Sequence, residues 1–386
     1  MKKSICFIAN IEFSIKAFLV DHFKAMLPIY DITVITNTDN VDFLRMMGLN
    51  IEVIHIPIER KIFLGRDIAA LFKLYSLFKK KHFNALHSIT PKSGLLSMVA
   101  GFLAGVPIRT HTFTGQVWAT HRGYKRKILK AADKIIALCA THILVDSHSQ
   151  RDFLIRENVV SKSSSHVIAN GSMCGVDGER FAANPAARRE VRQAHCIADS
   201  DFVFLFLGRL TRDKGLIDLA KAFKDLCAVY PNIHLVFVGP DEESMKSELI
   251  SICSPYDARV HFKNYYDMPQ NYMAASDVFC LPSYREGFGS VIIEAASTGV
   301  PSIGTRIYGL TDAIDDGQTG FLYEPGNIEE LRNNMVVLLE NRDLLTQMGM
   351  RARSRAMNNF SKDIIVAGML DYYRKLFSGD NISDKY

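Results

Sequence analysis

The chain has 386 residues, of which 48% are hydrophobic and 23% are charged, and its formal net charge is +5. These values exclude a disordered or fibrous chain and indicate a folded protein long enough for two domains rather than one core. The longest apolar stretch, residues 95–108, is too short and too interrupted by glycine and proline to span a bilayer, and the N-terminus lacks the apolar run of a signal peptide.

The distribution of charged residues and cysteines indicates the kind of partner and the cellular compartment of the protein. Residues 1–180 carry 24 Lys and Arg against 14 Asp and Glu, whereas the remainder carries 22 against 27. A basic first half is typical of a protein that meets an acidic partner, either nucleic acid or anionic lipid headgroups. The seven cysteines are scattered singly without metal-ligand spacing, which predicts reduced thiols in a cytoplasmic protein and no zinc.

The first half alternates short apolar runs with segments of helical spacing. Alternation of this kind is typical of a parallel sheet with helices on both faces. The predicted strands are residues 5–9, 32–36, 51–56, 85–88, 107–112 and 143–146, and the predicted helices include 14–27, 67–81 and 92–104.

Beyond residue 168 the pattern breaks and then restarts. The sequence therefore predicts an α/β protein of two Rossmann-like doubly wound domains, 1–168 and 188–360, joined by an interdomain linker at 169–187. Ligands of such sheets gather at the carboxyl ends of the strands. The predicted elements of the second half are strands at 202–207, 234–238, 260–262, 278–281 and 301–304, with helices at 215–229 and in the C-terminal tail.

The segment YREGFGSVIIEAA, residues 284–296, follows a predicted strand and passes through a glycine turn into a helix. Gly287 and Gly289 let backbone N–H groups approach a ligand closely, and the helix start favours an anion such as a diphosphate. Glu286 and Glu294 bracket the turn, and carboxylates accept hydrogen bonds from sugar hydroxyls. A phosphate cradle with a carboxylate on either side suits a nucleotide-sugar, although two such glutamates can also form a solvated face.

A second turn, GRLTRDKG from residue 208, follows the predicted strand at 202–207. Arg209 offers a planar fork and Lys214 a point charge to the oxygens of a diphosphate leaving group. Arg212 and Asp213, between them, are expected to lie on the surface. This turn is therefore the second candidate for a diphosphate contact.

The Glu286-x7-Glu294 spacing, with glycines between and Gly-Val-Pro at 299–301, resembles the donor site of family-4 retaining glycosyltransferases of the GT-B fold. The resemblance implies that the two domains face a central cleft. It also implies that a C-terminal helix, 361–378, packs back onto the first domain. The first loop of this chain, residues 10–14, departs from many relatives because it lacks their Gly-Gly pair.

The same resemblance assigns roles by position. Glu294 holds the ribose and Glu286 the transferred sugar, while Arg209 and Lys214 stabilise the leaving diphosphate. The nucleotide base, uracil by family habit, meets residues 260–267 mostly through backbone groups. Tyr265 or Tyr266 stacks on the ring or, alternatively, has only a packing role. The implied donor site comprises Gly208, Arg209, Lys214, Tyr265, Glu286, Gly287, Phe288, Gly289, Ser290 and Glu294, of which Phe288, Gly289 and Ser290 contribute their backbone.

The acceptor side implied by the resemblance lies around the predicted strand at 107–112. His111 is expected beside the donor sugar, where it polarises the reacting centre; the alternative is a histidine satisfied by packing. The basic stretch 121–130 binds a lipid-linked diphosphate, docks on the inner leaflet, or is a solvated helix face. The implied acceptor pocket comprises Thr114, Gly115, Gln116, Trp118 and Arg122, with the indole of the only tryptophan offering a face to a sugar or lipid.

These features predict a retaining glycosyltransferase of bacterial capsule or O-antigen synthesis, peripheral on the inner face of the plasma membrane and without nucleic acid. The donor is a UDP-linked N-acetylhexosamine, and the acceptor is a saccharide linked to undecaprenyl diphosphate. No metal is required, because Arg209 and Lys214 neutralise the leaving group. The alternatives are a nucleotide-sugar epimerase of the same fold and a non-catalytic binding or membrane-scaffold protein.

Overall fold

The structure, a computed structural model, describes residues 2–59, 63–264 and 268–380. The chain divides into two compact units. The first comprises Met1–Cys174 and Lys362–Tyr386, and the second comprises Gly175–Ser361. The segment predicted as a linker, 169–187, straddles the division between Cys174 and Gly175.

The first unit is built on a seven-stranded parallel sheet with the strand order β3-β2-β1-β4-β5-β6-β7. Its strands are β1 (Lys3–Ile8), β2 (Tyr30–Thr36), β3 (Glu52–His55), β4 (Ala85–Ile89), β5 (Ile108–Phe113), β6 (His142–Val145) and β7 (Ser165–His166). Its helices up to this point in the chain are α1 (Glu12–Phe18), α2 (Val20–Met26), α3 (Phe43–Met46), α4 (Leu64–Lys81), α5 (Pro91–Ala104), α6 (Gly123–Cys139) and α7 (His148–Arg156), with a 3-10 helix at Val117–Thr120.

The second unit has a six-stranded parallel sheet with the order β10-β9-β8-β11-β12-β13. Its strands are β8 (Phe202–Leu207), β9 (Ile233–Val238), β10 (Val260–Lys263), β11 (Val278–Leu281), β12 (Ser302–Thr305) and β13 (Gly320–Tyr323). Its helices are α8 (Pro185–Ala194), α9 (Leu216–Cys227), α10 (Met245–Cys253), α11 (Pro269–Ala275), α12 (Ser290–Ser297), α13 (Leu310–Ala313), α14 (Ile328–Glu340) and α15 (Arg342–Phe360). The last helix, α16 (Lys362–Ser378), belongs to the first unit.

The strand order confirms the predicted fold class. In each sheet the chain builds outward in one direction and then in the other, so that β1 lies between β2 and β4, and β8 lies between β9 and β11. This is the doubly wound arrangement of Rossmann-like domains. Because the connections that leave β8 and β11 diverge to opposite faces, a crevice forms at the carboxyl ends of these two strands, where such sheets bind ligands.

The helices of the first unit cover both faces of its sheet. Leu74 of α4, Met98 of α5 and Ile136 of α6 belong to one buried cluster. Phe23 of α2 and Tyr373 of α16 belong to the cluster on the opposite face. Right-handed crossovers explain this division, because β3-α4-β4, β4-α5-β5 and β5-α6-β6 all advance in the same direction across the sheet. In the described part of the chain, no helix is both long and apolar enough to cross a membrane.

Several elements differ from the sequence-based expectation or escape it, among them one predicted helix and strand β13. The helix predicted at 14–27 is two short helices, α1 and α2, which meet at Leu19. Strand β13 was not predicted, because it is short and begins with a glycine, which usually signals a turn. Gly320 is required there, since a Cβ atom would lie 2.1 Å from the carbonyl oxygen of Ser302 on β12.

A buried ion-pair network fastens α8 to the amino ends of β8 and β11. Asp277 accepts hydrogen bonds of 2.8 Å from Arg188, Arg192 and the backbone N–H of Val203. The guanidinium of Arg192 is buried and also donates to the carbonyl oxygen of Ala275 at 3.0 Å. The network stabilises the second unit only while the buried charge stays paired.

We expect Asp277→Ala to lower the free energy of unfolding of the second unit by about 3–5 kcal/mol, because it leaves Arg192 buried without its carboxylate. Urea denaturation followed by circular dichroism measures the change. The matched control is Glu248→Ala, which removes an exposed partner of Arg212 and is expected to leave the midpoint nearly unchanged. Equal midpoints for Asp277→Ala and the wild type would contradict the assignment.

Candidate active site

The turn after β8 packs directly on the end of β11. Arg209 follows Gly208 at the strand end, and a 3-10 helix, Arg212–Lys214, leads to α9. Gly215, between them, has φ +69°, and a Cβ atom there would lie 2.0 Å from the carbonyl oxygen of Pro282. Only glycine permits this close approach, which brings the cation-bearing turn against the segment that carries Glu286.

Asp213 joins the two turns and is a correction to the sequence-based interpretation, which placed it on the surface. Its carbonyl oxygen accepts from the Tyr284 N–H at 2.9 Å, and its carboxylate accepts from Thr211 at 2.6 Å and from Arg285 at 2.8 Å. Burial acts to raise the pKa of Asp213, but these hydrogen bonds and the neighbouring positive charges outweigh it and lower the pKa. The Thr-x-Asp spacing is the sequence signal that indicates such a local hydrogen bond.

Lys214 and Glu286, which are 72 positions apart, form an ion pair at the same place. The Lys214 Nζ and Glu286 Oε1 atoms are 2.5 Å apart, and both side chains are 15% exposed. The Ser283 hydroxyl donates to the same oxygen at 2.7 Å. The structure therefore brings together the residue predicted to hold the diphosphate and the residue predicted to hold the transferred sugar.

Arg209 points to a third strand end. Its Nη1 atom is 2.8 Å from the Glu242 carboxylate, which follows β9, and both side chains are more than a third exposed. Exposed ion pairs contribute little to stability. A polyanionic ligand can therefore draw this guanidinium away from Glu242 at small cost.

The helix α12 presents its N-terminus after the β11 turn. Gly289 caps it with φ +80°, and a Cβ atom there would lie 2.5 Å from Leu310. Among the described residues, no side chain caps this helix end, so its first amides are open to an anion. The Phe288 side chain is buried against Phe360 at 5.1 Å between ring centroids, which leaves the backbone of Phe288, Gly289 and Ser290 as the groups able to contact a ligand. Gly287 precedes them, and its carbonyl oxygen lies close to Gly309.

Glu294 lies one turn into α12. Burial raises the pKa of its carboxyl group to about 7, although the positive charge of Arg180 acts in the opposite direction. No hydrogen bond or ion pair reaches this carboxylate from the described side chains. A ligand hydroxyl would supply the donor that the carboxylate lacks. The base contact predicted for Tyr265 lies outside the described residues and stays a prediction.

In the first unit, His111 lies inside β5 and is buried. Its Nδ1 atom shares a hydrogen bond of 2.8 Å with the Ser88 hydroxyl, and its ring is so close to α5 that a Cβ atom on Gly94 would lie 2.4 Å from it. Burial lowers the pKa of His111 to about 3. The imidazole is therefore neutral at physiological pH, and any role in polarising a substrate must use the neutral ring.

Trp118 is a correction, because it does not offer an open indole face. The ring is buried and stacks on Phe153 at 5.2 Å, with Arg126 and Lys130 against its π system. Its Nε1–H donates to Asp133 at 2.7 Å, and burial raises the pKa of Asp133 to about 7. A single tryptophan in a basic segment suggests a ligand contact, but the large ring with one polar atom is satisfied here by packing.

The other residues predicted for the acceptor follow the carboxyl end of β5. Gln116 is buried, and its side-chain oxygen accepts from Gln150 of α7 at 3.0 Å. Gly115 is buried, Thr114 is half-buried, and Arg122 is exposed immediately before α6. Of the predicted set, Thr114 and Arg122 are the side chains that reach the surface.

The chain has two doubly wound units, and cations, a helix N-terminus and carboxylates meet at the β8–β11 switch point of the second unit. This combination is that of a glycosyltransferase of the GT-B class. Comparison with known proteins supports this class. Residues 187–355 match the family of glycosyl transferases group 1, and residues 28–172 match glycosyltransferase family 4.

Two relatives extend over most of the chain. The capsular polysaccharide biosynthesis glycosyltransferase CapM of Staphylococcus aureus is 32% identical over 316 residues, which are 81% of this chain and 83% of CapM. The UDP-Gal:alpha-D-GlcNAc-diphosphoundecaprenol alpha-1,3-galactosyltransferase of Escherichia coli is 31% identical over 312 residues, 78% of each chain. The chain thus belongs to the family-4 glycosyltransferases.

The fold agrees with this assignment. The crystal structure of Anabaena HepE in complex with UDP and glucose superposes with a TM-score of 0.81 and 20% sequence identity, covering 96% of this chain and 99% of HepE. Similarity at this identity concerns the fold alone.

The lowered pKa of His111 predicts a pH dependence of stability. Between about pH 6.5 and 3 the unfolded chain binds a proton at this residue that the folded chain does not, so the free energy of unfolding falls as the pH is lowered through this window. We expect His111→Asn to reduce the slope by up to about 1.4 kcal/mol per pH unit. Urea denaturation at successive pH values measures it, with the exposed His148→Asn as control. Identical slopes for His111→Asn and the wild type would contradict the prediction.

Proposed function

We propose that this chain is a retaining glycosyltransferase that moves a sugar from a UDP donor to a saccharide linked to undecaprenyl diphosphate. The sugar we propose is an N-acetylhexosamine. The observation that carries the proposal is the convergence of Lys214, Glu286 and the α12 N-terminus at the β8–β11 switch point. The names of the two relatives add a capsular polysaccharide, a UDP donor and a diphosphoundecaprenol acceptor as the chemistry to expect.

In the proposed donor complex, the diphosphate takes the place that Glu286 now occupies beside Lys214. A ligand with two or more negative charges competes effectively for a lysine that has one carboxylate partner. Glu286, released from Lys214, then accepts hydrogen bonds from hydroxyls of the transferred sugar. Glu294 accepts from the ribose hydroxyls, and Arg209 reaches the diphosphate after leaving Glu242.

The proposed reaction needs electrostatic stabilisation of the leaving group. The glycosidic C–O bond breaks toward UDP, and a new C–O bond forms to the acceptor oxygen on the same face of the sugar. The acceptor hydroxyl gives its proton to a diphosphate oxygen. Lys214, Arg209 and the α12 amides stabilise the charge that develops on that diphosphate, so the proposal requires no divalent metal.

The acceptor assignments on the first unit are part of the proposal. Thr114 and Arg122 reach the surface after β5, while Gln116 and Trp118 are buried and bonded to Gln150 and Asp133. His111 contributes a neutral imidazole. We propose that the enzyme works peripherally at the inner face of the plasma membrane, because an undecaprenyl chain holds the acceptor in the bilayer.

Transfer assays test this function directly. The full chain is incubated with a panel of UDP-sugars and a short-chain prenyl-diphosphate saccharide, with and without EDTA, and the product's anomeric configuration is determined by NMR. We expect one UDP-sugar to be transferred with retention at a rate that EDTA does not change. Isomerised donor without transfer would identify an epimerase, and UDP-sugar binding without any turnover would identify a binding protein.

We expect Lys214→Ala to weaken UDP binding at least about tenfold, because it removes a charge-assisted hydrogen bond and leaves Glu286 unpaired toward the diphosphate. Isothermal titration calorimetry with UDP measures the affinity. The control is Arg212→Ala, two residues earlier on the same turn, whose exposed guanidinium is held by Glu248. Equal losses in the two variants would place the diphosphate elsewhere.

We expect Glu286→Gln to lower kcat by about a hundredfold while UDP affinity is maintained or increased, because misplacement of the reacting sugar costs about this much and the lost charge no longer repels the diphosphate. Steady-state kinetics and UDP titration separate the two effects. Glu248→Gln serves as the control on an exposed carboxylate. An unchanged kcat would remove Glu286 from the site.

A further inference from the structure

The helices α4 and α6 each carry an apolar stripe on their exposed side. On α6 the stripe consists of Tyr124, Ile128, Ile135 and Leu138, with exposed fractions of 84%, 66%, 44% and 79%. At about 100° per residue, these four side chains fall within an arc of about 80°. Single exposed apolar residues scattered over a surface are normal, whereas several aligned on one side of a surface helix form a patch that indicates an interaction site.

The stripe on α4 has the same geometry. Leu64, Ile68, Phe72 and Tyr75 are exposed by 76%, 54%, 67% and 36%, and they also fall within an arc of about 80°. The buried side of the helix, which includes Leu74, faces the sheet. The exposed apolar side chains of α4 therefore point away from the core of the first unit.

The two stripes belong to one surface. The helix α5 lies between α4 and α6 and contacts both, and all three cover the same face of the first sheet. The C-terminal end of α5 adds Phe102 and Leu103, which are more than half exposed. We call the outward side of α4, α5 and α6 the three-helix face.

The charge of the three-helix face has a single sign. Its exposed cations without a carboxylate partner among the described residues are Lys73, Lys79 and Lys80 on α4 and Lys125, Lys127 and Lys134 on α6, whereas Arg66 and Lys81 of α4 pair with Glu59 and Glu52 outside the helices. The acidic residues of the three helices are Asp67, which pairs with Lys92 at 2.6 Å, and the buried Asp133, which binds Trp118. Two copies of this face would repel each other, whereas an anionic surface complements it.

Arg126 and Lys130 do not belong to this surface. Both form ion pairs with Glu157, at 2.7 and 2.5 Å, and both lie against the Trp118 ring. These contacts turn the two cations away from the apolar stripe of α6. They also hold that helix in a fixed rotation about its axis, with Tyr124 and Ile128 outward.

We infer that the three-helix face inserts into the interface of an anionic phospholipid bilayer. The helices lie in the plane of the membrane, the stripes of α4 and α6 enter the boundary between headgroups and acyl chains, and the flanking lysines bind lipid phosphates. The inference deepens the proposed function, on which it rests for a lipid-embedded acceptor, by naming the surface that meets the bilayer.

Co-sedimentation of the full chain with vesicles of phosphatidylglycerol and phosphatidylcholine, without donor or acceptor, tests the surface. The stripe variant combines Leu64→Gln, Phe72→Gln, Ile128→Gln and Leu138→Gln, and we expect it to lose at least about tenfold in vesicle partition. The matched control combines Met46→Gln, Val229→Gln, Val337→Gln and Met350→Gln, which are also exposed but lie outside the face, and we expect less than a twofold loss.

The contribution of the α6 lysines to vesicle binding and the depth to which the stripe enters the bilayer are tested separately. We expect Lys125→Gln, Lys127→Gln and Lys134→Gln together to reduce partition at least about tenfold on anionic vesicles, with a weaker salt dependence than the wild type. Bromine-labelled lipids should quench the fluorescence of Tyr124→Trp but not that of Met350→Trp, since the native Trp118 is buried in both variants.

Three outcomes would overturn the inference. They are equal vesicle partition of the stripe variant and the wild type, equal quenching at positions 124 and 350, and a wild-type dimer that the stripe variant dissociates, which would assign the face to a second copy of the chain. Transfer to a short-chain soluble acceptor separates this inference from the proposed function. Vesicle binding without such transfer would reject the function alone, and transfer without vesicle binding would reject the surface alone.

Discussion

The contact between Lys214 and Glu286 depends on strand order before it depends on charge. The two residues are far apart in sequence and meet because β8 and β11 are neighbours at the point where the sheet changes direction. Gly215 then lets the β8 turn lie against the end of β11, and Asp213 fastens the two turns with backbone and side-chain hydrogen bonds. The ion pair is thus held by a rigid frame, which is how a binding site keeps its geometry without ligand.

That frame gives the resting site a specific chemical state. Lys214 is neutralised by Glu286 and Arg209 by Glu242, while Glu294 has a pKa raised to about 7 by burial. In the proposed donor complex, a nucleotide diphosphate exchanges these protein carboxylates for its own oxygens, so that binding of the diphosphate and release of Glu286 are one event. In the proposed mechanism, the carboxylate becomes free to orient a sugar only when the leaving group is already in place.

The sequence predicts the fold well because buried parallel strands have continuous apolar runs, such as residues 202–207, and these are easy to recognise. The glycines and cations of the sequence also single out the two turns that the structure brings together at the candidate site. The sequence does not predict the contacts of Asp213, because an acidic residue between two basic ones is typical of a solvent-exposed turn. Only the strand order shows that Asp213 meets Arg285. The prediction of an open Trp118 ring is wrong for the opposite reason, because a residue expected at the surface is buried. Its partner Asp133 lies on a helix whose buried side cannot be identified from composition.

The uneven charge of the chain has different physical meanings in the two units. In the second unit, the cations of the candidate site are paired with carboxylates, and their charge becomes available only to a ligand that displaces those partners. In the first unit, six exposed lysines of the three-helix face have no carboxylate within ion-pair distance among the described residues and share their helices with exposed apolar side chains; they are Lys73, Lys79, Lys80, Lys125, Lys127 and Lys134. Paired cations favour a small, highly charged ligand that fits one geometry, whereas unpaired cations beside an apolar stripe favour an extended anionic surface with an apolar interior. The excess of positive charge in the first half of the sequence therefore lies largely on the three-helix face. The cations of the candidate site are neutralised by carboxylates until a ligand displaces them.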